Sequence, residues 1–522
     1  MGVLVPLLVT MGLHGMTTAR ASFADGRSAG PAALGAAILA AAAPSTGNAG
    51  CSGGNSQTNV SLSWTGSSTL DADGKYLVDT YVALRSTSQA GTYSSVGAMT
   101  GQPPATSFTD IDPTGAATPQ VFVGNQGTPA VHAVNTSTRV GRSITTGTVG
   151  TEPNDLAVTP DGTTVVAAEG ASHQVQVISL SGDTVVRTVA IPAVGSTASR
   201  PDAVAITPDG LTAYIVDGAN NLVYPITISS GVRGPAITVG GQGDPGAIAI
   251  TPNGAKVYVA NFSGHTVSDI STSSNTVTGT LTIGSGTTGK PIALAATPNS
   301  AHVYAADQGN GQIDDIATST DTVAKTITVG SMVDGDISAG GDPNILAITP
   351  DGSRLYEANF TAGTVLDIAT ATDTVTRTIT MPNGQLNNSP DPNALAMTPN
   401  GCQVFVDDYN NNQLDVISTA DDTIVATPTI GQVGDPVGLS VTPDSAYVYC
   451  ANFYDSSVSV VSTGTDAVVA TLSSTQVGSN PYAVLATSSR YWYELEAGHA
   501  GWRSGPSTAV SATLGWNQGG WQ

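Results

Sequence analysis

The tetrapeptide Thr-Pro-Asp-Gly, or a close relative, occurs seven times in this chain. The copies are Thr159–Gly162, Thr207–Gly210, Thr251–Gly254, Thr297–Ser300, Thr349–Gly352, Thr398–Gly401 and Thr442–Ser445, separated by 48, 44, 46, 52, 49 and 44 residues. Each is a turn with a mechanism: Pro pre-sets φ at the first corner, Asp favours the second, and Gly takes the left-handed exit. Self-similarity at this period is the mark of a repeat architecture.

The surroundings of each turn also repeat. Before it runs a short apolar segment opened by a polar residue and Pro, as in Asp391–Thr398. After it come three alternating segments, as in Lys256–Phe262, Thr266–Thr272 and Thr276–Gly284. Four short strands in about 45 residues is the signature of a propeller blade, with strands A to D. Strand A is rich in Ala, which suits the crowded centre where blades converge. Val121–Gly147 is a B-C-D set with no A before it, and Asn480–Thr487 is an A strand with no B-C-D after it. Together they complete one more unit. The expected fold is therefore all-β, an eight-bladed β-propeller of four-stranded blades, or seven-bladed if one unit is displaced. Closure removes exposed sheet edges.

Strand B ends in Tyr258–Asn261 (YVAN), Tyr356–Asn359 (YEAN), Tyr449–Asn452 (YCAN) and Phe122–Asn125 (FVGN), with Asp217, Asp307, Asp408 or Glu169 in place of the final Asn elsewhere. Here the chain resembles the YVTN-type, YncE-like and surface-layer-like β-propellers over Val121 to Thr487. The resemblance implies an exported or surface propeller, in a group where most members have no established catalytic activity. The Asx residue is expected to cap the B–C turn.

The composition agrees with strands and turns. Gly is 60 of 522 residues, Pro 30, and charged residues only 11%. The formal net charge is −23 and only five of the acids are Glu. Asp-rich turns and solubility account for most of this, and a cation-binding surface is the sharper alternative. So acidic a chain is a poor partner for nucleic acid or anionic lipid.

The six His are scattered. His173 and His265 occupy the same B–C position in different blades, His132 lies in a strand C, and His302 opens a strand B. No HExxH, paired CxxC, phosphate-binding loop or G-x-S-x-G elbow is present. The residue before the Pro of each strand A is expected to ring the channel mouth: Glu152, Arg200, Asp244, Lys290, Asp342, Asp391, Asp435 and Asn480. Glu152, Asp244, Asp342, Asp391 and Asp435 are thus candidate ligand-binding carboxylates. The alternative is that each merely starts a strand with its charge in water. The long D–A loops, Ser331–Asp342 and Met381–Asp391, open on that face, and Asp334 and Asp336 are weak metal candidates, a divalent cation such as calcium being the one cofactor envisaged.

Residues 1–50 contain two apolar stretches, Val3–Leu13 and Pro31–Ala43, both shorter than the roughly 20 residues a bilayer span needs. A basic region, an apolar region and small residues read as a removed export signal, so an extracellular or cell-surface location is expected with no membrane span in the mature chain. Cys51 follows small residues, a weak lipid-anchor signal. Cys402 and Cys450 sit at offsets about 13 Å apart along neighbouring strands, beyond disulfide reach, and no structural disulfide is expected.

The flanks of the propeller differ from it. Residues 51–118 hold alternating strands, among them Asn59–Ser68 and Tyr76–Met99, and resemble the first part of a fibronectin type III domain with Trp64 in its core. Residues 489–514 resemble that domain's last two strands, with Tyr491 at its corner position; 515–522 form a tail. The propeller, 119–488, is then an insertion into the sandwich, reasonable because the two ends of a closed ring lie a hairpin apart.

Three functions follow. The first is an exported, non-catalytic binding or adhesion protein that takes a protein, glycan or small ligand on the face of the D–A and B–C loops. The second is a lactonase- or lyase-type propeller enzyme using mouth carboxylates, and the third a structural surface-layer component.

Overall fold

The computed structural model describes residues 120–487, apart from 147–152, 241–242, 285–287, 331–344, 383–391, 432–435 and the single residues 181, 410 and 444. Outside that span it describes only the backbone of strands.

Eight antiparallel sheets are built on the A-B-C-D plan. Blade 1 joins Pro481–Ala486 to Gln120–Asn125, Ala130–Asn135 and Gly141–Thr145, so its strand A comes from the far end of the chain. Strands A of blades 2 to 8 are Pro153–Val158, Pro201–Ile206, Pro245–Ile250, Pro291–Ala296, Leu346–Ile348, Pro392–Met397 and Pro436–Val441. Each of these touches strand A of the next blade, and the cycle closes between Pro481–Ala486 and Pro153–Val158. The fold is an eight-bladed β-propeller.

The core lies between blades rather than within them. Val121 and Val123 of blade 1 pack on Tyr449, Ala451 and Val460 of blade 8. On its other face Phe122 meets Leu156, Val165 and Ala167 of blade 2. The same arrangement recurs around the ring. Strand B is therefore buried on both faces and carries no polar alternation, as in Lys256–Asn261. Strand D is the outer edge and does alternate. In Thr276–Thr282 the Thr residues face water, and threonine suits an exposed, half-covered pleat.

Two local devices set the blade geometry. In each Thr-Pro-Asp-Gly turn the Thr hydroxyl accepts the N–H five residues on, as Thr164 N–H to Thr159 Oγ1 at 3.1 Å, and donates to the turn Asp. In strand A the Pro has no N–H for the ladder, and the register slips between it and the residue two further on, as at Pro201/Ala203 and Pro245/Ala247. The residue after the Pro is thereby released from pairing.

Cys450 is a free, buried thiol, as the spacing implies, but Cys402 is in a disulfide. The expectation of no structural disulfide is thus corrected. The distance argument excluded the Cys402–Cys450 pair alone and had no bearing on other pairings.

The strands before and after the propeller form a separate unit. Ser489–His499 pairs antiparallel with Thr80–Ser86, placing Tyr493 opposite Arg85. Thr80–Ser86 also pairs with Ser94–Thr100, and Val510–Leu514 adds to Ser489–His499. Val60–Ser63 pairs with Ser107–Asp110. Trp64 lies outside the described residues. No helix among the described residues is long and apolar enough to cross a membrane.

Candidate functional site at the channel mouth

The buried acid or amide that ends strand B is part of the scaffold for the mouth. Asp217 Oδ1 accepts the Arg200 N–H at 2.8 Å and its Oδ2 accepts from Asn220 Nδ2 at 2.9 Å. Asp307 does the same two ring positions later, accepting the N–H of Lys290 at 2.6 Å and of Gly309 at 3.1 Å. Asn359 caps its own turn through the Ala362 N–H. These side chains cap the B–C turn, and in blades 3 and 5 they also fix the residue that opens strand A.

A second tie comes from the B–C turn of the preceding blade. The last turn residue takes left-handed φ, at 57° for Asn221, 59° for His173, 56° for His265 and 49° for Ser456. Its side chain reaches the next D–A loop. Asn221 Oδ1 accepts the Asp244 N–H at 2.9 Å, and Ser456 Oγ accepts the Asn480 N–H at 3.2 Å. His173 and His265 instead meet carbonyls, those of Ser199 and Gly289, through Nδ1. Both histidines are positioning groups in the scaffold.

On this frame sits a network across blades 2, 3 and 4. Arg200 Nε lies 2.8 and 2.9 Å from the two carboxylate oxygens of Asp202, and its Nη2 lies 2.9 Å from Asp244 Oδ1. Asn154 Nδ2 donates to Asp202 Oδ1 at 3.2 Å and to the Pro201 carbonyl at 3.3 Å. The Arg200 and Asp244 side chains are about half exposed, at 47% and 53%, whereas Asp202 is buried. Burial pushes the Asp202 carboxyl up to about 7 against the opposing pull of Arg200, and the Asp244 charge adds to the rise. One carboxyl close to neutrality, one guanidinium and one open carboxylate therefore share a single mouth-facing cluster.

Of the expected mouth residues, the structure brings Arg200 and Asp244 together. Lys290 lies over the Phe262 ring at 5.3 Å, a cation–π contact. Asn480 donates through Nδ2 to the Phe453 carbonyl at 3.4 Å. Phe453 stands edge-on to Tyr454 and Tyr482, with centroids 5.1 and 6.4 Å away, and Tyr454 is 63% exposed. Glu152, Asp342, Asp391, Asp435, Asp334 and Asp336 lie outside the described residues. Among the described residues no group of three or more His, Cys, Asp or Glu is arranged to hold a metal ion. The sequence reading missed Asp202, Asn154 and Tyr482, all of which follow the strand A Pro. The missing proline N–H, which releases that position from the ladder, is the signal that finds them.

No family model and no curated protein matches the chain. Solved structures do. The chain is similar to dihydro-heme d1 dehydrogenase NirN in complex with DHE, with 12% identity over 70% of this chain and 74% of that one, at a TM-score of 0.55. Hydrazine synthase of Kuenenia stuttgartiensis aligns at 20% identity over 60% of this chain and 95% of that one, with a TM-score of 0.46. A functionally unknown protein from Desulfotomaculum acetoxidans aligns at 18% identity over 59% and 94%, with a TM-score of 0.44. At these identities the likeness to NirN is one of fold.

Proposed function

We propose that the chain is an exported or cell-surface binding protein of the YVTN, YncE-like kind, which takes its ligand on the face built by the D–A and B–C loops. The observation that carries this reading is the Arg200–Asp202–Asp244 cluster. A half-exposed guanidinium and carboxylate, held by backbone bonds from two blades, form a pre-organised polar patch on a rigid scaffold. The exposed Tyr454 and its neighbours Phe453 and Tyr482 supply apolar area on strand A and B–C turn positions. The pairing of Ser489–His499 with Thr80–Ser86 supports a fibronectin-like sandwich that the propeller interrupts, serving as a spacer. The test is a glycan and metabolite binding screen on the mature protein. Hits are expected to weaken in Arg200→Ala and Asp244→Ala. Hits indifferent to both substitutions would place the site elsewhere.

One observation favours the enzymatic reading. A carboxyl held near 7 beside an arginine is suited to proton transfer at neutral pH, and Asp202 is such a group. Under that reading a lactone panel is hydrolysed and Asp202→Asn abolishes turnover. A panel left intact by the wild-type protein removes the lactonase reading and leaves the binding one standing.

A further inference from the structure

The third residue of strand C faces the loop that leaves the preceding blade, and in two blades its side chain bonds that loop. Gln176 Nε2 of blade 2 donates to the Thr146 carbonyl at 2.7 Å. Asp314 Oδ2 of blade 5 accepts the Gly284 N–H at 3.1 Å. In blade 1 the equivalent residue is His132, and the preceding loop is the Ser474–Ser479 segment at the seam where the ring closes. Here the bond is absent. Between them lies a depression of about 460 Å³ lined by Thr128, Pro129, Ala130, His132, Ser143, Thr145, Ser474, Gly478 and Ser479.

His132 is a buried residue. Its Nδ1 lies 3.1 Å from Asn125 Nδ2, whose amide also donates to the Val123 and Ala130 carbonyls at 3.1 and 3.2 Å. Two carbonyl partners assign that atom as the amide nitrogen, so Nδ1 accepts and Nε2 carries the proton. Burial lowers the affinity of the ring for a second proton, which keeps it neutral. Among the described residues Nε2–H has no hydrogen-bond partner, and it belongs to a pocket-lining side chain. Thr128 Oγ1 is buried and has no partner among the described residues. Ser143 stands directly opposite His132, and Thr145 opposite Ala130, on the same sheet face.

We propose that this seam pocket binds a small, uncharged, hydroxyl-bearing ligand of about monosaccharide size, with His132 Nε2–H and Thr128 Oγ1 as its anchors. The volume falls in the range of small-molecule sites, about 300–1,000 Å³. Among the described residues no Lys, Arg, Asp or Glu lines it, and a charged ligand would be desolvated there without compensation from them. The ring of serine and threonine hydroxyls both donates and accepts, which matches polyols. Gly478 permits the close approach, because a Cβ there would stand 2.7 Å from Asn125 Oδ1 and from Thr128 Oγ1. The site shares no lining residue with the Arg200–Asp202–Asp244 cluster.

The test is titration of the full chain with D-glucose, N-acetyl-D-glucosamine and myo-inositol, with glucose 6-phosphate and glucosamine as charged analogues. The readout is the His132 imidazole resonance, assigned by its loss in His132→Gln. At least one neutral probe is expected to move that resonance, and Thr145→Trp, which fills the depression from the exposed edge strand, to weaken binding about tenfold or more. If Thr145→Trp lowers the melting temperature, Ser143→Val serves instead. No shift with any neutral probe, a shift that survives both substitutions, or tighter binding of a charged analogue would overturn the proposal.

Discussion

Tyr304 Oη of blade 5 donates to Asp373 Oδ1 of blade 6 at 2.8 Å. Asp373 occupies the C–D turn with φ of 48°. The same bridge joins Tyr258 to Asp321 at 2.8 Å, Tyr356 to Asp422 at 2.8 Å and Tyr214 to Asn275 at 2.6 Å. Blade 2 carries Val166 at the tyrosine position, and the next C–D turn carries Gly231 in place of an Asx. One side chain thus satisfies a strained turn and locks two blades together. Burial and the adjacent carboxylate keep the Tyr304 phenol protonated, so it always donates. Tyr304→Phe is expected to cost about 1.5–3 kcal/mol, the worth of a hydrogen bond to a charged group. A double-mutant cycle with Asp373→Ala in urea should show clear coupling; additive losses would contradict the bridge.

The turn glycines pack blade on blade. A Cβ at Gly254 would lie 3.3 Å from Pro208 Cδ of the preceding turn, and φ there is 70°. Gly254→Ala should cost about 1–2 kcal/mol through left-handed strain. Ser300 takes the same conformation, with φ of 60°, and its Oγ accepts the Asn253 N–H at 2.9 Å. Ser300→Gly should therefore lose that bond while relieving strain, and shift the urea midpoint less than Gly254→Ala.

Glu357 is a buried carboxyl with no hydrogen-bond partner on either oxygen among the described residues, and burial raises it to about 8. Its folded-state value stands above its ordinary 4.5. Its contribution to stability is thus fully present below 4.5 and is lost as pH rises through about 8. Burial acts the same way on Asp415, raised to about 8 with help from the Asp408 charge. Glu357→Gln should gain on wild type by about 1.4 kcal/mol per pH unit across that window. A difference that stays flat with pH would mean the group is ionised throughout.

Arg200 neutralises two carboxylates, one of them buried. Arg200→Met should destabilise the propeller by about 1–3 kcal/mol above pH 7, with part of the full cost of a broken buried pair lost to solvent screening. Because Asp202 protonates near 7, the loss should shrink as pH falls below that value. Urea midpoints at acidic and alkaline pH measure this directly; equal losses at both would remove Asp202 from the network.

The ring was legible because its determinants are local. The turn Thr, Pro and Gly, the proline that opens strand A and the Asx that ends strand B each fix a backbone feature in their own blade. The split blade followed by counting, since Val121–Gly147 lacked a strand that Asn480–Thr487 supplied. The mouth was only partly legible. Arg200 and Asp244 stood at a repeated position, but Asp202 stands where other blades carry Asn154, Gly246, Ile292, Val437 and Tyr482. A residue type that varies around the ring leaves no periodic trace, and only the bulge geometry shows that it faces the mouth. The seam pocket was invisible for a similar reason: it lies where blade 1 lacks a bond that blades 2 and 5 make.

Both sites depend on Pro481–Ala486 closing the ring against Gln120–Asn125, where Ala486 lies opposite Val121. Antiparallel partners have Cα atoms about 4.5–5.5 Å apart, within disulfide reach. In Val121→Cys/Ala486→Cys the two new thiols should oxidise to a bond within one molecule and raise the denaturation midpoint, because the bond closes nearly the whole propeller into a loop. Failure of the pair to cross-link within one chain, with the protein otherwise folded, would contradict closure by the two ends.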